Sequence, residues 1–128
     1  MGDFIKLEVW QRAHQLVIRI YQLTQQFPRA EDWGLTSQLR RSAMSIPSNV
    51  AEGCGRNADS ELRRFLKIAL GSAFELHYQV LLARDLTYLP APEADELIEE
   101  ILRIRAMLYS LARRLRPRPA SPSSVHSL

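Results

Sequence analysis

The sequence predicts an all-α domain, an antiparallel up-down four-helix bundle, and three observations lead to that prediction. The chain has 128 residues, 46% of them apolar and 24% charged, which is the balance of one ordinary globular domain. Apolar residues recur at steps of three and four in four separate blocks, the spacing of one helix face. No block alternates as a strand would, and mostly short connections favour neighbouring helices that run antiparallel.

The first block predicts a helix over residues 7–27, which Pro28 ends because a proline pushes the preceding residue out of the α region. The second block predicts a helix over residues 33–53. Pro47 lies inside it and lacks an amide hydrogen, so a kink or a fresh helix start is expected there. Gly53 and Gly55 are interpreted as the residues that release the chain into a turn.

The third block predicts the longest helix, over residues 59–88, with Asn57 or Asp59 as its cap. The fourth predicts a helix over residues 92–116, with Pro92 in its first turn. Residues 1–117 would then form the bundle domain. Residues 118–128 are rich in Ser and Pro and are predicted to be a disordered tail that stability does not need.

The third helix carries a second apolar stripe in addition to its core face. A helix that is apolar on two faces is normally buried on two sides. In so small a bundle the second stripe is predicted to meet another subunit, although tight packing within the bundle or the N-terminal segment would also cover it. The predicted interface residues are Leu70, Phe74, Tyr78 and Leu81.

The positive charges suggest a partner. The formal net charge is +3, and residues 103–118 contain six arginines and no acid. Such residues can contact phosphates, but arginines near a helix C-terminus also offset its dipole, and a charge run is often a solvated face. No aromatic platform for stacking bases is recognised. The candidate contacts to nucleic acid or a protein partner are Arg40, Arg41, Arg56, Arg63, Arg64, Lys67, Arg113, Arg114 and Arg116.

Catalytic and metal-binding patterns are absent from the sequence. Glu75 and His77 are two residues apart, so they point to different helix faces and do not form the Glu-x-x-His pair of a di-iron bundle. Cys54 stands alone and suits a reducing cytoplasm. The sequence therefore predicts no enzyme, no metal, no cofactor and no membrane span, and a cytoplasmic location.

Three segments of the chain resemble a known family. They are Val9–Ala13 (VWQRA), Gly34–Ala43 (GLTSQLRRSA) and Ser45–Gly53 (SIPSNVAEG), and Arg64–Ala69 (RFLKIA) continues the match. The family is that of the bacterial four-helix bundle proteins first noticed as reading frames within intervening sequences of large-subunit ribosomal RNA genes. The resemblance covers roughly Phe4 to Leu115.

The resemblance implies a homo-oligomeric ring, a pentamer, with no known enzymatic activity. The family is also similar to accessory proteins of diversity-generating retroelements, which form basic rings that bind a reverse transcriptase and nucleic acid. The leading hypothesis is a non-catalytic oligomeric bundle that binds RNA, or a nucleic-acid-handling protein such as a reverse transcriptase. The alternative is a purely structural or protein–protein assembly module.

Overall fold

A computed structural model describes residues 2–117 and contains four α-helices. They are α1 (Glu8–Thr24), α2 (Leu35–Cys54), α3 (Asp59–Asp85) and α4 (Ala91–Arg114), with short 3-10 turns at Phe4–Lys6 and Arg29–Glu31. Within the described residues there is no strand. The all-α prediction with four helices is confirmed.

The four helices share one apolar core. Each predicted stripe supplies fully buried side chains, and α3 makes its most extensive contacts with α2 and then with α4. Interiors of this kind are close-packed, so these residues fix the relative position of the helices. The largest fully buried side chains are Ile20, Leu39, Ile46, Val50, Leu66, Leu76, Val80, Leu97, Ile101, Ile104 and Leu108.

Ion pairs join α1 to α4. Arg12 Nε donates to Glu100 Oε1 at 2.8 Å, and Arg19 pairs with Glu96. These two ion pairs hold α1 against α4.

The helix α2 runs through Pro47 without a break, so the expected fresh start at this residue is wrong. The proline is buried, and its ring leaves the carbonyl of Ala43 without the usual amide donor. Nearby, Asn49 Nδ2 donates to the carbonyl of Ser45 at 2.7 Å and to its hydroxyl at 3.0 Å. Burial of the apolar residues on either side holds the helix together across the lost bond.

Gly53 is not a turn residue, which corrects the sequence interpretation. It lies in the last turn of α2 and is buried. A Cβ atom there would be 2.9 Å from Phe65 Cβ and 3.0 Å from Leu62 Cδ1. The glycine therefore permits close approach of α2 and α3, whereas Gly55 ends α2.

Several helix ends differ from the prediction by a few residues. The first helix ends at Thr24, although Phe27 is still buried and packs against the ring of Tyr88 at 5.6 Å. Ala58, not Asn57 or Asp59, occupies the N-cap of α3, with no side-chain cap bond. After α3, Thr87 adopts a left-handed φ of 64°. The predicted disordered tail, residues 118–128, lies outside the described residues.

Candidate nucleic-acid and subunit interfaces

The Ser-Ile-Pro-Ser-Asn segment, residues 45–49, contacts α3 through Ser45 and buries Ile46 and Pro47, whereas Ser48 is exposed. Ser45 and Ser72 join their hydroxyls across the helix pair at 2.7 Å, and Ser42 donates to Glu75 Oε1 at 2.9 Å. Gln79 Nε2 donates to the same carboxylate oxygen at 3.2 Å. These bonds satisfy polar groups that are partly buried between α2 and α3. This part of the family-like segment Ser45–Gly53 is therefore a packing element.

Two of the predicted phosphate contacts, Arg56 and Arg64, are paired with acids. Arg56 Nη2 lies 3.1 Å from Glu52 Oε1, and Arg64 Nε lies 2.9 Å from Glu61 Oε2. Both guanidinium groups also lie over the ring of Phe65, at 5.3 and 4.5 Å. The hydrogen bond from Arg64 lowers the pKa of Glu61, which stabilises this pair in its charged form. These two arginines are less available to an external anion.

The other candidates differ from these two. The seven remaining candidate arginines and lysine have no carboxylate within 4.0 Å of their charged nitrogens among residues 2–117, and each of the seven side chains is exposed or half-buried. They are Arg40, Arg41, Arg63, Lys67, Arg113, Arg114 and Arg116.

The arginine run of α4 is divided between two sides of the helix. Arg103 and Arg114 line a depression beside Leu7 and Glu8, at the start of α1. Arg105 lies on the α3 side, with its guanidinium carbon 3.6 Å from the centre of the Phe74 ring. The last member of the run, Arg118, falls outside the described residues. Among the described residues, Arg105 therefore lies apart from Arg103 and Arg114.

The predicted second stripe of α3 is only partly at the surface. Phe74 is 52% exposed and Tyr78 is 63% exposed, whereas Leu70 and Leu81 are half-buried. An apolar groove of about 460 Å³ runs between α3 and α4 at this level. We call this groove, together with the exposed Tyr78 about one turn after Phe74 on α3, the α3–α4 apolar face; its apolar members are Leu70, Phe74, Tyr78, Leu102, Ala106 and Tyr109.

A cation and a histidine border the α3–α4 apolar face. Arg105 Nη1 lies 3.1 Å from His77 Nδ1. Burial of the imidazole, followed by the neighbouring charge of Arg105, lowers the pKa of His77. A neutral His77 can accept a hydrogen bond from the guanidinium, and a protonated one cannot.

An exposed aromatic residue lies beside Arg40 and Arg41. The apolar pattern places Trp33 in the second helix, but Trp33 precedes α2 and is 95% exposed. It lines one surface depression, which we call the Trp33 cluster, together with Tyr21, Asp32, Thr36, Ser37, Arg40, Arg41 and Met44. A large aromatic directly before Gly34, outside the apolar stripe, was the available signal.

No metal centre is found in the part of the chain that the structure covers. No three His, Cys, Asp or Glu side chains there are grouped to hold a metal ion. Cys54 is buried at the end of α2, and that burial raises the pKa of its thiol, which disfavours the reactive thiolate. None of the helices in residues 2–117 is long and apolar enough to cross a membrane.

Comparison with known proteins identifies the family. Residues 5–110 match the family described as 23S rRNA-intervening sequence protein. A crystal structure of a protein of unknown function from the S23 ribosomal protein family of Bacteroides thetaiotaomicron is similar in fold, with a TM-score of 0.74 and 21% identity. The match covers 82% of this chain and 98% of that one. No functionally curated protein matches significantly. The chain belongs to the 23S rRNA-intervening sequence protein family.

Proposed function

We propose that this chain is a non-catalytic, cytoplasmic, homo-oligomeric bundle of antiparallel up-down helices that binds RNA through basic surface residues. The observation that carries the proposal is that Arg63 and Lys67, near the start of α3, and Arg113, near the end of α4, have no carboxylate within 4.0 Å among residues 2–117. Arg84 Nη1 lies 3.7 Å from Asp95, and Arg105 lies beside His77, so falling numbers on α3 meet rising numbers on α4. This pairing supports the antiparallel order.

If the same antiparallel pairing continues beyond the α3–α4 apolar face, cations of both helices come together where α3 begins and α4 ends. Lys67 precedes Leu70 by three residues and Arg113 follows Tyr109 by four, so each cation lies about one helical turn from that residue. Leu70 and Tyr109 line one groove. Arg63 adds a further cation one turn before Lys67. When unpaired cations of this kind bind phosphates, they release the counterions condensed on the nucleic acid. This release is the main source of sequence-independent affinity.

The proposed assembly uses the α3–α4 apolar face. Four large hydrophobic side chains of this face are exposed: Phe74, Tyr78, Leu102 and Tyr109. Exposed hydrophobic residues that cluster in this way mark interaction surfaces, whereas isolated ones do not. A ring built through this face, such as the pentamer that the family resemblance suggests, would repeat the cations of each subunit around its circumference. Repetition would add weak phosphate contacts into useful affinity.

A protein–protein assembly module without RNA binding is the second candidate. The pairing of Arg56 with Glu52 and of Arg64 with Glu61 favours it, because these cations are neutralised within the chain. The position of Arg113 and Arg114 in the last turn of α4 also favours it, because there they offset the helix dipole. A reverse-transcriptase-like protein is the partner that the family resemblance suggests for either candidate.

Purification without nuclease separates the two candidates. The protein is isolated from cells at low salt, and the eluate is analysed for nucleic acid and for a stoichiometric second protein. We expect RNA that a high-salt wash removes, since the contacts are electrostatic. A variant in which Lys67 and Arg63 are both Gln should retain less RNA, while an Arg56→Gln control should retain about as much as the unmodified chain. A nucleic-acid-free protein at low salt would contradict the proposal.

A further inference from the structure

The Trp33 cluster has the composition of a site for an unpaired nucleobase. Trp33 is 95% exposed, although an indole is among the side chains that gain most from burial. Tyr21 and Met44 are also exposed, so the tryptophan belongs to a small apolar surface. Exposed aromatics beside arginines are the arrangement on which single-stranded nucleic acids stack.

One arginine of the cluster is held in place within the fold. Arg40 Nε donates to Thr24 Oγ1 at 2.9 Å, and its guanidinium lies 4.7 Å from the centre of the Tyr21 ring. Thr24 is itself fixed by a bond from its hydroxyl to the carbonyl of Ile20 at 2.7 Å. A guanidinium has five donors, so several remain for a phosphate after these contacts. Because it is already ordered, Arg40 loses little conformational freedom on binding.

The second arginine is more loosely held. Arg41 is exposed and bonds to Gln38, one turn earlier on α2. It has no carboxylate partner within 4.0 Å among residues 2–117. Its guanidinium can therefore turn to a phosphate beside a base that is stacked on Trp33.

One acid, Asp32, also lines the cluster. The carboxylate of Asp32 would repel a phosphate. We therefore place the phosphate backbone of the RNA toward Arg40 and Arg41 and its unpaired base toward Trp33. Carboxylates accept hydrogen bonds from exocyclic amino groups of bases, cytosine N4 for example. With two arginines and one acid, the charge of the cluster still favours an anionic strand.

We propose that the Trp33 cluster binds one unpaired base of single-stranded RNA, stacked on Trp33, with the adjacent phosphate on Arg40 and Arg41. This inference rests on the proposed function, because RNA is the ligand of both, but it assigns a separate site and a distinct mode of recognition. Duplex RNA, whose bases are stacked on each other, cannot use this site.

Tryptophan fluorescence tests the proposal with the full-length protein. A single-stranded oligocytidylate and a matched duplex RNA are titrated at constant salt. We expect the single strand to quench the emission of Trp33 and the duplex to leave it unchanged. Trp33→Phe isolates the emission of Trp10, which packs against Phe4 and His14 and should not respond.

Affinity measured by anisotropy gives a second readout. Trp33→Ala should weaken binding of the single strand roughly 5- to 150-fold, which is ~1–3 kcal/mol at 1.4 kcal/mol per tenfold. Trp33→Phe should retain much of the affinity, because a phenyl ring still stacks. Arg41→Gln should reduce the slope of log affinity against log salt by about 0.7, and a Lys6→Gln control should leave it unchanged.

The outcomes separate this inference from the proposed function. Binding of the single strand without quenching, and with unaltered affinity in Trp33→Ala, would overturn the stacking site and leave RNA binding in place. A change in the mass of the assembly in Trp33→Ala would assign the residue to a subunit contact instead. Absence of any RNA binding by the unmodified protein at low salt would remove the proposed function and this inference together.

Discussion

Replacement of two helical glycines by alanine tests how closely α2 and α3 approach each other. Gly53 lies in α2 and Gly71 in α3. An alanine is favoured over glycine in a helix interior by ~0.8–1 kcal/mol. A Cβ atom at Gly71 meets no heavy atom within 4 Å, so Gly71→Ala should raise the free energy of unfolding by up to about 1 kcal/mol.

At Gly53 the same substitution meets the opposite helix. The new Cβ atom would be 2.9 Å from Phe65 Cβ, an atom fixed to the backbone of α3, and cannot be accommodated by rotating a side chain. Overpacking of this kind costs ~1–3 kcal/mol, which cancels or exceeds the gain in helix propensity. Gly53→Ala should therefore be less stable than Gly71→Ala by about 1–3 kcal/mol.

Urea denaturation followed by circular dichroism measures both variants. The protein concentration must be equal in every sample, since an oligomer gains apparent stability by mass action. The mass of each variant is measured by light scattering, because a changed assembly would alter the comparison. Equal free energies of unfolding for Gly53→Ala and Gly71→Ala would refute the close helix approach.

Two further predictions concern the α3–α4 apolar face. Light scattering of the unmodified chain should report a species several times the 14.7 kDa chain mass. Phe74→Glu should lower the mass of this species with little loss of helical circular dichroism, whereas an Ile18→Glu control on α1 should leave the mass unchanged. A monodisperse monomer for the unmodified chain would contradict the assembly. The pKa of His77 is lowered by burial and by Arg105, so its contribution to stability is present above the unfolded pKa of about 6.5 and is lost as the pH falls toward the folded pKa. His77→Gln should lose less stability than the unmodified chain in urea titrations across that pH range, and an equal loss in both would remove His77 as the cause.

The helices and the core were predictable from the sequence because their signal is periodic. Leu66, Leu76 and Ile104 stand at helical spacing, and all are fully buried. Helix propensity and burial favour the same structure at these positions, so the spacing of apolar residues along the sequence is enough to predict the helices and their buried faces.

The surface was less predictable, because exposure depends on contacts between distant residues. Leu70 and Phe74 belong to the same sequence stripe, yet Leu70 packs against the core and is half-buried, whereas Phe74 is exposed. Gly53 resembles a turn glycine until Phe65 is placed against it.

Charge pairing shows the same dependence on structure. Arg63 and Arg64 are neighbours in the sequence, but only Arg64 has a carboxylate partner within 4.0 Å among residues 2–117. Trp33 counted as one more apolar residue of the second helix until its exposure was known. The sequence therefore supplied candidates for contact, and the fold distinguished between paired and unpaired members.

The salt dependence of RNA binding tests the proposed function most directly. Affinity for single-stranded RNA is measured across a salt series for the unmodified protein and for a variant with Arg113, Arg114 and Arg116 all replaced by Gln. RNA binding through these residues predicts a steep decrease in log affinity with log salt, and a slope flatter by about 0.7 for each phosphate contact that the variant loses. If they merely end a helix, the substitutions cost only ~0.3–1 kcal/mol of stability each. An unmodified oligomer that binds no RNA or DNA even at low salt would contradict the account.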